Sequence, residues 1–251
     1  MERLGTLVEL WRYPVKSMAG EELADARVTY AGIAGDRVYA FVDNNNKSDF
    51  PWMTGRQGHD FVLFKPRFLK PPAVANEIPD AAEFAIEVAA PGGEKFMMGD
   101  PKFTEFLETR FGRSLRLRFS ERCMTDARPV SMFGLATLRG LSEETGIALD
   151  KRRFRANFYV RWDDDAPFFE DQLVGRELQI GETVVVQLVK KDGRCIMITL
   201  DPDTAAPSPK VLESVYHGHS GCAGVYGAVL REGIVHAGDP IYAISEVARR
   251  L

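Results

Sequence analysis

The chain has 251 residues, of which 45% are hydrophobic and 27% charged, with a formal net charge of −4. This composition supports one large domain or two smaller ones and excludes a disordered chain; the acidic balance argues against a nucleic-acid partner, because a broad phosphate-binding surface needs a concentrated positive field. No run of about 18 apolar residues occurs, and the opening MERLGTLVELWRYPVKSM lacks the basic-then-apolar order of a secretory signal, so no membrane partner is expected and the expected location is cytoplasmic.

The first third reads as short β-favouring runs, LGTLVELWRYPV, ARVTYAGIAGDRVYAFVD and FAIEVAAP, punctuated by Gly, Asp and Pro, with LKPPAVANEIPDA as loop. DPKFTEFLETRFG predicts a helix: Asp100 caps it, Pro101 takes the first helical position, Phe103, Phe106, Leu107 and Phe111 share a face, and Gly112 stops it. A second helix is expected over about 133–144, with Ser131 as cap and Gly146 as stop, and a third over 208–218. The remainder returns to strands separated by tight glycine turns. Many short strands with few helices predict a β-rich, mixed α/β fold built on one or two closed or nearly closed β-barrels with helices packed at the ends.

Cysteines 123, 195 and 222 are odd in number and form no CxxC pair, which predicts reduced thiols. Cys195 stands behind a turn carrying Lys190, Lys191 and Arg194. Read as a strand, Cys195 to Asp201 places Ile196, Ile198 and Leu200 toward the core and Cys195, Met197, Thr199 and Asp201 on the other face. A lone cysteine is either a small buried hydrophobe or a functional thiol; nearby cations favour the thiolate, the form that binds soft metals or attacks electrophiles.

The same alternation in RRFRANFYV aligns Arg153, Arg155 and Asn157 opposite Phe154, Ala156 and Phe158. That face is either a solvated exterior or part of an oxyanion site, since arginine offers a bidentate fork. Lys16 after Pro14, Arg37 after Gly35-Asp36 and Arg56 after Gly55 are further bases at turns, and together these residues could surround one anionic ligand. Two other clusters, His217, His219 and Cys222 in HGHSGC and the acidic run DDDAPFFED, read better as a turn and a solvated connection than as metal sites.

YPVKSM with GDR resembles the N-terminal β-barrel module of MOSC proteins, and RFRANF, APFFEDQLVGRELQIG, GRCIMITLDPDT and GVYGAVL…GIVHAGDPIY resemble the MOSC domain, named for the molybdenum cofactor sulfurase C-terminus. The resemblance implies an N-terminal module over residues 1–118, a MOSC domain over 119–251, and binding of molybdenum cofactor, a metal held by the dithiolene of a phosphorylated pterin. In amidoxime-reducing members the cysteine of the RC motif ligates molybdenum, and Cys195 is the matching residue. Carried over residue by residue, Lys16, Ser17 and Arg37 suit the pterin phosphate or ring, Arg155 and Asn157 match the family's FRPN pair, Arg194 precedes the metal cysteine, and Thr199 and Asp201 match its T.DP segment.

Asp126-Ala127-Arg128 stands where the amidoxime-reducing members it resembles tend to have Asp-Thr-Ser, so Arg128 could narrow the pocket or select an anionic substrate. Ala156 and Ala205 replace a proline and a glycine. The resemblance implies an oxidoreductase that reduces small N-hydroxylated, amidoxime-like or N-oxide compounds. Its electrons must come from a separate redox protein, since no ferredoxin-type cysteine cluster, flavin fingerprint or GxGxxG is present. The alternatives are sulfur transfer through a persulfide on Cys195 and carriage of the cofactor without chemistry.

Overall fold

A computed structural model of the chain describes residues 1–70 and 85–244. All but the first two residues of the expected loop at 69–81 lie outside that range. In chain order the strands are β1 (Glu2–Arg12), β2 (Glu21–Leu23), β3 (Asp25–Thr29), β4 (Gly32–Ile33), β5 (Tyr39–Asp43), β6 (Lys65–Phe68), β7 (Ile86–Ala89) and β8 (Lys95–Met97). They continue with β9 (Leu115–Phe119), β10 (Val130–Gly134), β11 (Phe158–Trp162), β12 (Glu177–Ile180), β13 (Val184–Gly193), β14 (Cys222–Arg231), β15 (Gly233–His236) and β16 (Pro240–Ala243). The α-helices are α1 (Pro101–Phe111), α2 (Leu135–Thr145) and α3 (Pro209–Gly218).

Seven strands close into a barrel in the order β1-β11-β10-β14-β13-β12-β16, and β16 returns to β1. Closure removes the unpaired edges an open sheet would leave. The pair β10–β11 is parallel, which a hairpin cannot make, and α2 lies in the crossover between them. Strand β1 comes from the start of the chain yet pairs with β11 through Leu7↔Val160 and Leu10↔Phe158, so the ring draws on both halves of the sequence. Its interior is packed by Leu7, Leu10, Met132, Phe158, Val160, Leu178, Val186, Leu188 and Ile241. Each such side chain contributes about 1.5–3 kcal/mol on full burial.

A second core, rich in phenylalanine, gathers Phe41, Phe61, Phe64, Phe103 and Leu107 beneath α1 and the smaller sheets β5–β9 and β6–β7–β8. Helix α1 follows its local signals closely. The Asp100 carboxylate accepts from Lys102 N at 2.9 Å, Pro101 occupies the first turn, and Gly112 takes φ 61° at the stop.

Elsewhere the local signals are overridden. Helix α2 begins at Leu135, because Phe133 belongs to β10 and Ser131 is a barrel residue whose hydroxyl bonds Asn157. Its first turn is held from afar by the Glu170 carboxylate, which accepts from Gly134 N at 3.0 Å and from the Thr137 hydroxyl at 2.9 Å.

The segment from Cys195 to Asp201 is not a strand. After β13 ends, Cys195 is extended and Ile196–Thr199 form a 3-10 turn, in which the Thr199 hydroxyl donates to Ile196 O at 2.7 Å. Such a local bond offers the backbone an alternative to the sheet ladder. The expected faces fail accordingly: Ile196 is 38% exposed and Thr199 only 2%. Likewise Lys151–Phe154 form a 3-10 turn capped by Asp150, Arg155 adopts φ 54°, and the strand begins only at Phe158. Arg153, Arg155 and Asn157 are therefore not one face of a strand, and Arg153, at 5% exposure, is no solvated exterior.

Candidate functional site

Several chain turns converge on one cavity. Lys16 and Ser17 enter from the turn after β1, Arg37 from the turn after β4, and Arg56 from the segment after β5. Asp126 and Arg128 come from the connection between β9 and β10, Arg153 and Arg155 from the 3-10 turn and its exit, Asp192, Arg194 and Cys195 from the end of β13 and beyond, and Tyr226 from β14. Cations outnumber carboxylates in this lining.

Ser17, Arg37 and Arg155 take left-handed φ values of 66°, 48° and 54°. For residues with a β-carbon such conformations cost about 1–3 kcal/mol each and persist where surrounding bonds over-determine them. Here the ties are Lys16 N to Tyr39 O, Arg37 N to Tyr13 O and Arg155 N to Arg152 O.

The cations are held by a shell of protein acceptors. Lys16 Nζ donates to Met124 O at 2.8 Å and pairs with Asp126. Arg37 pairs with the fully buried Asp36 and donates to Arg155 O at 2.9 Å. Arg194 donates to Ala223 O and Phe154 O at 2.7 and 2.8 Å, and its Nη2 lies 2.9 Å from Asp192 without hydrogen-bond alignment. Arg155 differs: its Nη2 is buried with no partner.

Burial pulls the Arg155 guanidinium down to about 10, with Arg37 adding to the depression and Tyr13 and Asp36 opposing it. Burial likewise pushes Lys16 below the usual lysine value, against the pull of Asp126. Burial also acts against charge on Arg37, but Asp36 and Tyr13 outweigh it and raise its pKa. Buried cations with incomplete pairing are costly, and an anion that completes the pairing is attracted to them.

The residues singled out from sequence fall into two groups. Lys16, Ser17, Arg37, Arg56, Arg128, Arg155, Asn157, Arg194 and Cys195 line the one cavity. Thr199 and Asp201 stand behind it. Arg153 donates through Nη1 to Thr199 O at 2.7 Å and through Nη2 to Asp201 at 2.9 Å. Asn157 also ties the barrel together, accepting from Ser131 and donating to Trp11 O at 3.2 Å. Cys195 is half-buried with its thiol free.

Asp192 and Tyr226 were not evident from sequence; the only local signal was the Asp-Gly step at the end of β13, a common strand breaker. His219 stacks on Phe168 at 3.7 Å and pairs with Glu144, and among the described residues no group of three or more His, Cys, Asp and Glu is gathered to hold a metal ion. No helix among them is long and apolar enough to cross a membrane.

The fold and cavity define a class: a closed β-barrel protein with a cation-lined cavity fringed by a half-buried thiol. The family model described as the MOSC domain matches residues 109–242, and that described as the MOSC N-terminal beta barrel domain matches residues 4–105. The chain belongs to the MOSC family.

Among curated proteins it is similar to mitochondrial amidoxime reducing component 2 of Bos taurus, 26% identical over 96% of this chain and 84% of the relative. Its human counterpart gives the same identity and coverage. The molybdenum cofactor sulfurase of Drosophila grimshawi is 25% identical over 86% of this chain but only 30% of that protein. Among solved structures, the YUAD protein from Bacillus subtilis shares the fold, with a TM-score of 0.50, 16% identity, and coverage of 95% of this chain and 94% of that one.

Proposed function

We propose that the cavity binds molybdenum cofactor with Cys195 as the protein ligand to the metal, and that the protein reduces small N-hydroxylated or N-oxide compounds with electrons from a separate redox protein. The observation that carries this reading is the unpartnered, buried Nη2 of Arg155 within a cation-rich cavity that also contains the Cys195 thiol. The residues fit such a group: buried guanidiniums and an ammonium match an anionic phosphorylated pterin, and a thiolate matches a soft, sulfur-ligated metal.

When bound, the group supplies the two-electron redox centre. The chain's own residues do the rest. Lys16, Ser17, Arg37 and Arg155 would hold the phosphate and pterin, with the Lys16 ammonium exchanging its Asp126 partner for the ligand. Arg194, tied to the backbone of Phe154 and Ala223, would fix the approach of Cys195. Thr199 and Asp201 would act indirectly, by locking Arg153 against the cavity wall. Arg56 and Arg128, both exposed at the mouth, would meet the substrate first. Removal of oxygen from R–NHOH consumes two electrons and two protons and yields R–NH2 and water. The names of the amidoxime reducing relatives support this substrate class.

Protein purified from cells that synthesise the cofactor is expected to contain molybdenum and pterin in near-equal amounts, and Cys195→Ser to lose turnover of benzamidoxime. Full molybdenum content with unchanged turnover in the Ser variant would remove the ligand assignment. A persulfide on Cys195 in molybdenum-free protein, with transfer to an acceptor, would replace the reductase reading by sulfur transfer.

A further inference from the structure

Two carboxylates line the cavity, and they differ in setting. Asp126 is exposed at the mouth and engaged by Lys16, whereas Asp192 is 3% exposed. Asp192 is buried directly after two exposed lysines, 190 and 191, and shares the parity of the core residues Val184, Val186 and Leu188. In the β13–β14 pairing, Lys191 faces Val225 and Gly193 faces Cys222, so the register slips here with the extra residue on β14, and Ala223 and Gly224 stand opposite Asp192. The Tyr226 hydroxyl, which lines the same cavity, hydrogen-bonds the carboxylate, and Arg194 Nη2 lies 2.9 Å away.

We propose that Asp192, held by Tyr226, is the proton donor for the reaction in this cavity. The inference rests on the reductase reading. Breaking the N–O bond of R–NHOH with two electrons from the redox partner leaves an oxygen that departs cheaply only as water. The carboxylic acid of Asp192 delivers one of the two protons and becomes a carboxylate, which the Tyr226 hydroxyl and the Arg194 guanidinium stabilise. Water at the cavity mouth supplies the second proton and afterwards reprotonates Asp192.

The other lining groups are poorly suited to this task. Arginine does not release a proton at working pH. The Lys16 ammonium is committed to Met124 O and, in the loaded protein, to the anionic ligand it would hold. Burial lifts the Asp192 carboxyl to about 6, with Asp126 adding to the rise and Arg194, Tyr226 and Arg37 opposing it, which places it near the range an acid catalyst needs.

The test compares wild type, Asp192→Asn and Tyr226→Phe. In cofactor-free protein carrying 13C-labelled aspartate, a carboxyl titrating near pH 6 is expected and should vanish in Asp192→Asn. In molybdenum-loaded protein, Asp192→Asn is expected to keep its molybdenum and lose about a hundredfold or more in benzamidoxime turnover, the range of general acid catalysis. Tyr226→Phe removes a bond that favours the carboxylate, so the falling limb of the rate profile should move to higher pH; this variant serves if Asp192→Asn fails to fold. Wild-type turnover in Asp192→Asn, loss of its molybdenum, or an unmoved profile in Tyr226→Phe would each overturn the proposal. Molybdenum-loaded wild type that reduces no N-oxygenated compound would sink the reductase reading, and this inference with it, whatever the labelled aspartate shows.

Discussion

Arg37 and Arg155 lay their guanidiniums against the same buried tyrosine ring, 4.7 and 4.4 Å from the centroid of Tyr13. Two cations over one aromatic ring are attracted by its quadrupole, yet they repel each other, and only Asp36 among the close partners neutralises charge. The two arginines are consequently not equivalent. Arg37 completes a buried ion pair, and Arg155 is left with an unpartnered nitrogen.

Arg155→Ala is therefore expected to leave the cofactor-free protein as stable as wild type or more so, since it removes an incompletely paired buried charge. The same substitution should lower cofactor occupancy, because a hydrogen bond to a charged group is worth about 1.5–3 kcal/mol. Thermal unfolding of the empty protein beside pterin analysis of the loaded one checks both halves. Equal occupancy would remove Arg155 from the anion site.

Arg37→Ala should behave differently. It strands the Asp36 carboxylate, which has no exposed surface and also accepts from Tyr13 N at 2.8 Å. Breaking a buried pair by removing one partner costs about 3–5 kcal/mol. Denaturant unfolding should show that loss, and a stability within experimental error of wild type would contradict the pairing.

The pH dependence of stability tests Asp192 without any cofactor. Its folded-state value is raised by burial to about 6 from an ordinary 3.8, so its protonated form favours the folded state. This contribution is complete below about pH 4 and is lost as pH rises through about 6. The stability of wild type relative to Asp192→Asn should therefore fall across that window and level off above it. A difference that grows with pH would mean that Arg194 and Tyr226 hold the carboxylate ionised in the folded protein.

Arg128 is exposed on the cavity rim. If it selects anionic substrates, Arg128→Ser should raise KM for a carboxylated benzamidoxime about two- to fivefold and leave the neutral compound unchanged, the scale of an exposed ion pair. High salt should reproduce the effect in wild type. An equal change for both compounds would assign Arg128 to shape rather than charge.

Features set by local chemistry are readable along the chain. Helix α1 is legible because Asp100, Pro101 and Gly112 act within one turn of the residues they govern, and the β-rich class is legible because short β-branched runs end at glycine turns. The basic residues at turns and Cys195 could be singled out as one candidate set because side-chain chemistry is written in residue type.

How these groups are presented depends on contacts remote in sequence. Closure of the ring through β1 and β11 depends on pairings between residues about 150 positions apart, which no periodicity records. The strand expected at Cys195 became a 3-10 turn because the Thr199 hydroxyl, the Arg153 bond to Thr199 O and packing of Ile198 under α3 outweigh a period of two that is itself ambiguous over seven residues. Asp192 was hidden for a related reason: Lys190 and Lys191 before it are exposed, and its burial comes from Tyr226 on the paired strand β14 and the other elements that line the cavity, none of which its own neighbours in sequence record.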